Sequence, residues 1–127
     1  MRLSDARVGP AVPVSDMDRA REFYEGKLGL SGGDDTPDGG HDYACGEGSV
    51  LHIFPSPDGA GSPSTIAAWE VDDVEATVKE LSANGVEFEQ YSEPLSTDER
   101  GIASTGEGKA AWMKDPDGNV LGLFERA

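Results

Sequence analysis

Apolar positions along this chain fall into two successive patterns that run in the same order. Residues 8–14 (VGPAVPV) alternate loosely and predict a strand. Its prolines at 10 and 13 put that strand at an edge or a bulge, because proline cannot donate to a ladder. Met17, Ala20, Phe23, Tyr24 and Leu28 then recur at helical spacing, with Arg19, Arg21, Glu22 and Glu25 left to solvent. This predicts a helix capped by Ser15 or Asp16, carrying Asp18 in its first turn and stopped by Gly29. A short strand from about Leu30, a Gly- and Asp-rich mobile loop (GGDDTPDGGHD) and a hairpin from Tyr43 to Phe54 follow.

The second pattern begins after a turn-rich linker at 55–64 (PSPDGAGSPS). Residues 65–71 (TIAAWEV) predict a strand. Asp72 is expected to cap a helix with Glu75 as its capping-box partner, Val74, Val78 and Leu81 as its buried stripe, and Asn84-Gly85 as its end. Residues 86–91 (VEFEQY) alternate as a strand. A polar stretch at 93–108 is long enough to act as a lid, and a last hairpin turns at 115–119 (DPDGN).

The two patterns are copies. Val50-Leu51-His52-Ile53-Phe54 matches Val120-Leu121-Gly122-Leu123-Phe124 at an offset of 70 (120 − 50), which lays Gly48 on Gly118. Val14-Ser15-Asp16-Met17 matches Val71-Asp72-Asp73-Val74 at 57 (71 − 14), and the difference is assigned largely to 93–108. Two strand-rich modules with one helix each predict an α+β fold: two tandem βαβββ modules forming a curved mixed sheet around a central cavity, helices outside. The whole of 1–127 reads as one domain, with module one at about 7–55 and module two at about 64–126.

The formal charge of −15 argues against nucleic acid and anionic membranes as partners. No apolar run approaches the ~20 residues of a membrane span, and the N-terminus lacks an apolar signal core. The single cysteine leaves no disulfide framework and suits a reducing compartment, so a cytoplasmic protein is expected. Cys45 has no basic neighbour in sequence to activate it as a nucleophile.

Together, VSDMDRAREFYEGKLGL, KDPDGNVLGLFE and the duplicated βαβββ order resemble the vicinal oxygen chelate superfamily, which includes glyoxalase I, extradiol dioxygenases, and fosfomycin- and bleomycin-resistance proteins. The resemblance implies one metal ligand on each of four strands, at positions that look like Gly9, His52, Ile66 and Gly122. The spacing agrees, since Gly9 and Ile66 differ by 57 and His52 and Gly122 by 70. Three of the four have no donor side chain, whereas a transition-metal site needs several. His41 and His52 have unlike parity around their hairpin and are expected on opposite faces. No metal and no cofactor are therefore expected.

If the central strands face inward as in that superfamily, Ala11, Ala68, Glu70, Phe54 and Phe124 point to the cavity, and Trp112 lines it. Such walls suit a planar or hydrophobic small molecule; ordinary core packing is the other reading of Trp112. Asp42 is expected beside His52, either orienting it as a general base or simply holding the hairpin. Arg100 and Lys109, in or near the 93–108 stretch, are the best cations for an anionic ligand, or plain solvated surface charge. Ligand contacts are assigned to His52, Trp112, Asp42, Phe54, Gly9, Ile66, Gly122 and Phe124. The expected function is metal-independent binding of an aromatic or hydrophobic small molecule by a homodimer, as in the bleomycin-resistance type. The alternative is a glyoxalase-like enzyme (lyase, isomerase or dioxygenase-related) with His52 as acid or base.

Overall fold

The computed structural model describes residues 2–56, 60–92, 96–106 and 108–126. Module one runs β1 (Ala11–Val14), α1 (Met17–Arg21), β2 (Asp34–Asp35), β3 (His41–Ala44) and β4 (Val50–Pro55). Module two runs β5 (Ser62–Glu70), α2 (Val74–Ala83), β6 (Ile102–Thr105), β7 (Gly108–Lys114) and β8 (Asn119–Arg126). Each module forms a four-stranded sheet, in the orders β1-β4-β3-β2 and β5-β8-β7-β6. In both, the first and last strands are parallel and the remaining pairs antiparallel. The fold is thus α+β with tandem βαβββ modules.

The helix caps follow local chemistry. Asp16 accepts from the Arg19 amide, satisfying one of the orphan donors of α1. The chain then widens into a π-helical turn over Glu22–Lys27, closed by Leu28 N–H donating to Phe23 O, before Gly29 leaves at φ 78°. In α2 the cap is Asp73, accepting from Ala76, one residue later than Asp72. With the cap at Asp73, Glu75 is not the capping-box partner; it pairs with Lys109 instead.

Alternation divides each sheet into two faces. Val12, Val14, Tyr43, Leu51 and Ile53 of the first sheet, and Ala67, Ala111, Met113, Leu121 and Leu123 of the second, face the helices. They join Ala20, Phe23, Tyr24, Val74, Val78 and Leu81 in one apolar cluster, so neither module has a core of its own. The edge strands β1 and β5 touch at the module boundary, and β4 and β8 lie one strand in from it.

Two expectations are corrected. Residues 86–91 do not form a strand; only Phe88 bridges, to Met113. The outer strand of module two is β6, which lies inside the stretch assigned to a lid. Carried back by 70, residues 102–105 fall on 32–35, where β2 sits, so the repeat offset already located it. Around it, Asp98 Oδ1 accepts from the Arg100 and Ile102 amides, and Gly101 N–H donates to Asp98 O. Gly101 is buried against Phe88 and Glu89, where a Cβ would come within 2.8 Å of Phe88. That end of the stretch is anchored; residues 93–95 and 107 lie outside the described residues. The GGDDTPDGGHD segment is likewise pinned, by β2 and by the contacts described below.

Candidate functional site

The sheet faces opposite the core carry the sequence-assigned residues in two groups. On the first sheet the register pairs Ala11 with His52 and His52 with Asp42, which puts all three side by side. His52 Nδ1 lies 2.7 Å from Asp42 Oδ1, as the hairpin pairing predicts. Phe54, two residues along the same strand, stacks on the imidazole with centroids 5.6 Å apart. The opposite-parity histidine, His41, pairs instead with Ile53 and packs on Tyr43.

The sequence did not single out Asp38. Its Oδ2 lies 2.9 Å from His52 Nε2, so carboxylates meet both ring nitrogens. Asp38 is held by Thr36 Oγ1 and the Gly40 amide, and these bonds, with the smaller contribution of His52, lower its pKa below the usual carboxylate value. The ribbon can lie this close only because Gly40 has no side chain: a Cβ there would come 2.1 Å from Ile53 O. That glycine, read as loop punctuation, is the one signal in the sequence for the approach.

On the second sheet Trp112 pairs with Gly122, and Gly122 with Ala68. A Cβ on Gly122 would lie 3.6 Å from Trp112 Cδ1 and 3.6 Å from Ala68 Cβ, so the indole crosses the glycine. Tyr91 meets Trp112 edge-on at 5.5 Å, a contact that periodicity gave no hint of. Phe124 pairs with Glu70 and Ala110 and is half-buried.

The remaining two assigned positions sit differently. Gly9 precedes β1 and is exposed, with room for a Cβ only at 3.0 Å from Val50 O. Ile66 falls in a β-bulge of β5, where the register steps from Thr65 opposite Val120 to Ala67 opposite Leu121. The bulge turns Ile66 toward the core cluster and brings Thr65 Cγ2 within 3.5 Å of a Cβ on Gly122. Arg100 and Lys109 are committed to carboxylates: Arg100 to Asp98 at 3.0 Å, Lys109 to Glu75 at 2.8 Å. Cys45 is a free thiol beside the Tyr43 carbonyl.

The donor set does not fit a divalent metal. Glycine and isoleucine offer no side-chain ligand, and both nitrogens of His52 already face carboxylates. Among the described residues no group of three or more His, Cys, Asp or Glu side chains is arranged to hold an ion. A cleft of about 820 Å³ lies away from these faces, between α2 and residues 86–90 and 99–100, and Gly9 lines a smaller one beside Val50.

A duplicated βαβββ chain with these faces belongs to the Glyoxalase/Bleomycin resistance protein/Dioxygenase superfamily, whose sequence model matches residues 7–123. Among solved structures it is similar to TnmS3, an antibiotic binding protein from Streptomyces sp. CB03234, at 26% identity and TM-score 0.68, covering 96% of this chain and 98% of that one. It is also similar to a glyoxalase/bleomycin resistance protein from the same organism at 28% identity and TM-score 0.64, covering 90% and 95%. The fosfomycin resistance protein FosX from Listeria monocytogenes shares the fold at 14% identity and TM-score 0.66, covering 96% and 93%. No functionally curated sequence matches the chain. Among the described residues no helix is long and apolar enough to cross a membrane.

Proposed function

We propose that this protein binds an aromatic or hydrophobic small molecule on the sheet faces of the two modules and releases it unchanged, without a divalent metal. One observation carries the reading: Trp112 lies over Gly122 at a position where the superfamily's metalloenzymes place a ligand, giving a flat apolar surface instead of a donor. The antibiotic-binding character of TnmS3 supports it as a likeness. His52 and Phe54, stacked at 5.6 Å, contribute ring surface beside it, the imidazole being held at its two nitrogens by Asp42 and Asp38.

The enzymatic reading keeps one specific support, the 2.7 Å contact between His52 and Asp42. A general base, however, needs a nitrogen free to face substrate. Asp38 occupies that nitrogen, which favours binding over turnover. The same sheet faces expose Ala11, Ala44 and Ala68, and Val8 beside them is 97% exposed. Small and apolar groups left open suit coverage by a second copy, and a homodimer in the cytoplasm is part of this proposal.

A thermal-shift screen of aromatic antibiotics and metabolites, followed by product analysis, tests it. A binder recovered unchanged is expected. Trp112→Ala should then weaken binding by about 2 kcal/mol and His52→Ala by about 1 kcal/mol. Chemical conversion that vanishes in His52→Ala would replace this reading with the enzymatic one. Undiminished binding by both folded variants would move the site elsewhere.

A further inference from the structure

On the far side of the sheets from His52 and Trp112, a cavity of about 270 Å³ opens between the two modules. Its floor is the helix-facing side of the second sheet: Trp69 and Leu123, which pair across β5 and β8, and Met113. Leu81 of α2 forms one wall, and Leu28 and Leu30 of module one form the other. That second wall is fixed by its backbone, since Leu28 and Leu30 donate to Phe23 O and Tyr24 O, each at 2.9 Å.

The polar equipment is sparse and of one kind. Among the described residues Glu80 is the only charged one in the lining, and no described hydrogen bond or ion pair takes its carboxylate. Asn84 spends its amide N–H on Lys27 O at 3.3 Å, which leaves the side-chain oxygen to accept. Thr77 Oγ1 already donates to Asp73 O. An apolar slot with acceptors at its rim, in a chain of charge −15, selects an apolar ring bearing a cationic donor.

We propose that this inter-module cavity is a second small-molecule site, taking a small aromatic amine with its ring on the floor of Trp69 and Met113 and its ammonium at Glu80. Ring–thioether and ring–ring contact supply the apolar part, and the carboxylate supplies direction. The site is separate from the sheet faces and does not depend on them. Because both modules line it, a bound ring also holds them together and raises the stability of the folded chain.

Tryptamine and indole, with ¹³C-methyl-labelled methionine observed by NMR, test the assignment. Saturable shifts of the Met113 methyl are expected with both, at dissociation constants on the order of 1 mM for so few atoms. Tryptamine should bind about threefold tighter, the increment of an ion pair to the exposed Glu80. Glu80→Gln, a surface change that leaves the core intact, should reduce tryptamine to the affinity of indole and leave indole unaltered. No saturable shift, equal affinities, or a tryptamine advantage that survives Glu80→Gln would each overturn the proposal. In a ¹⁵N-labelled sample, shifts confined to the amides around Trp112 and His52 would overturn it too, while supporting the sheet-face site.

Discussion

The hairpin turns at 45–49 and 115–119 fall at matching places in the repeat and are used in two ways. In both, the first residue's amide donates to the fifth residue's carbonyl, Cys45 to Ser49 at 2.8 Å and Asp115 to Asn119 at 3.0 Å. Their glycines, Gly48 and Gly118, adopt φ 78° and 85°. The side chains diverge. Asp115 is buried and accepts from Tyr24 Oη at 2.7 Å, from Asn119 Nδ2 at 2.9 Å and from the Asp117 and Asn119 amides. Asn119, fully buried, donates to Pro13 O and accepts from Gly61 N–H, and Asp117 takes the Ser15 amide and hydroxyl and pairs with Arg19. The second turn therefore bolts module two to β1, α1 and the linker. The first turn keeps to itself: Ser49 Oγ donates to Gly46 O, and Arg7 reaches Gly48 O from the N-terminal arm. The closing bond and the glycine are common to both turns, Glu47 departs from its counterpart Asp117 by adopting φ 54°, and only the second turn carries the buried polar network that joins the halves.

Matched substitutions should separate the two turns, with the widest gap at their first residues. Asp115→Ala strands the Tyr24 hydroxyl and the Asn119 amides without an acceptor, and should cost about 3 kcal/mol of unfolding free energy in urea titrations. Its counterpart Cys45→Ala should cost under about 1 kcal/mol, since it removes only a thiol beside a carbonyl. Equal losses would mean that the bolt contributes nothing special. At the fifth residues, Asn119→Ala should cost about 2 kcal/mol and Ser49→Ala under about 0.5 kcal/mol, because water replaces the lost hydroxyl at the exposed Gly46 carbonyl.

Alkali should act on the network through Tyr24. Burial, then the Asp115 charge and hydrogen bond, push its phenol far above the usual value. A folded-state value above the unfolded one gives stability that is complete below about pH 10 and falls as the pH rises beyond it. Urea midpoints should therefore drop above about pH 10. The drop should be shallower in Tyr24→Phe, with the remainder due to Tyr43, whose phenol is raised by burial and by Glu25. An unchanged slope in Tyr24→Phe would place the titration elsewhere.

The smallest effect belongs to module one's own polar contact. Partial burial pulls the His41 imidazole down, but its bonds to Asp35 and Gly32 O, each 2.8 Å, outweigh this and leave it raised. Its contribution to stability is complete below about pH 6.5 and fades as the pH climbs through the raised value. An NMR titration should place its midpoint above 6.5, and Asp35→Asn should lower it, with little change in the urea midpoint.

What the sequence determined by itself is what short-range periodicity and turn chemistry can specify. Period-two alternation put His52, Asp42 and Phe54 on one face and His41 on the other, and the repeat offsets fixed the module order and the twin glycines. The 70-residue offset even contained β6, hidden because the apolar alternation of 86–91 made a better-looking strand than IAST. A strand whose one face is buried needs few apolar residues if Phe88 and Met113 already fill the space beside it. Tertiary structure decided the rest. The bulge that turned Ile66 inward arises from pairing with β8, not from the local sequence. Asp38 reaches His52 across a ribbon closed by the contact of Gly40 with β4. The Asp115 network joins residues 91 positions apart at Tyr24 and 106 apart at Pro13. Such partners carry no mark of each other along the chain, because a buried donor constrains only that some acceptor reach it, and the packed modules decide which one does.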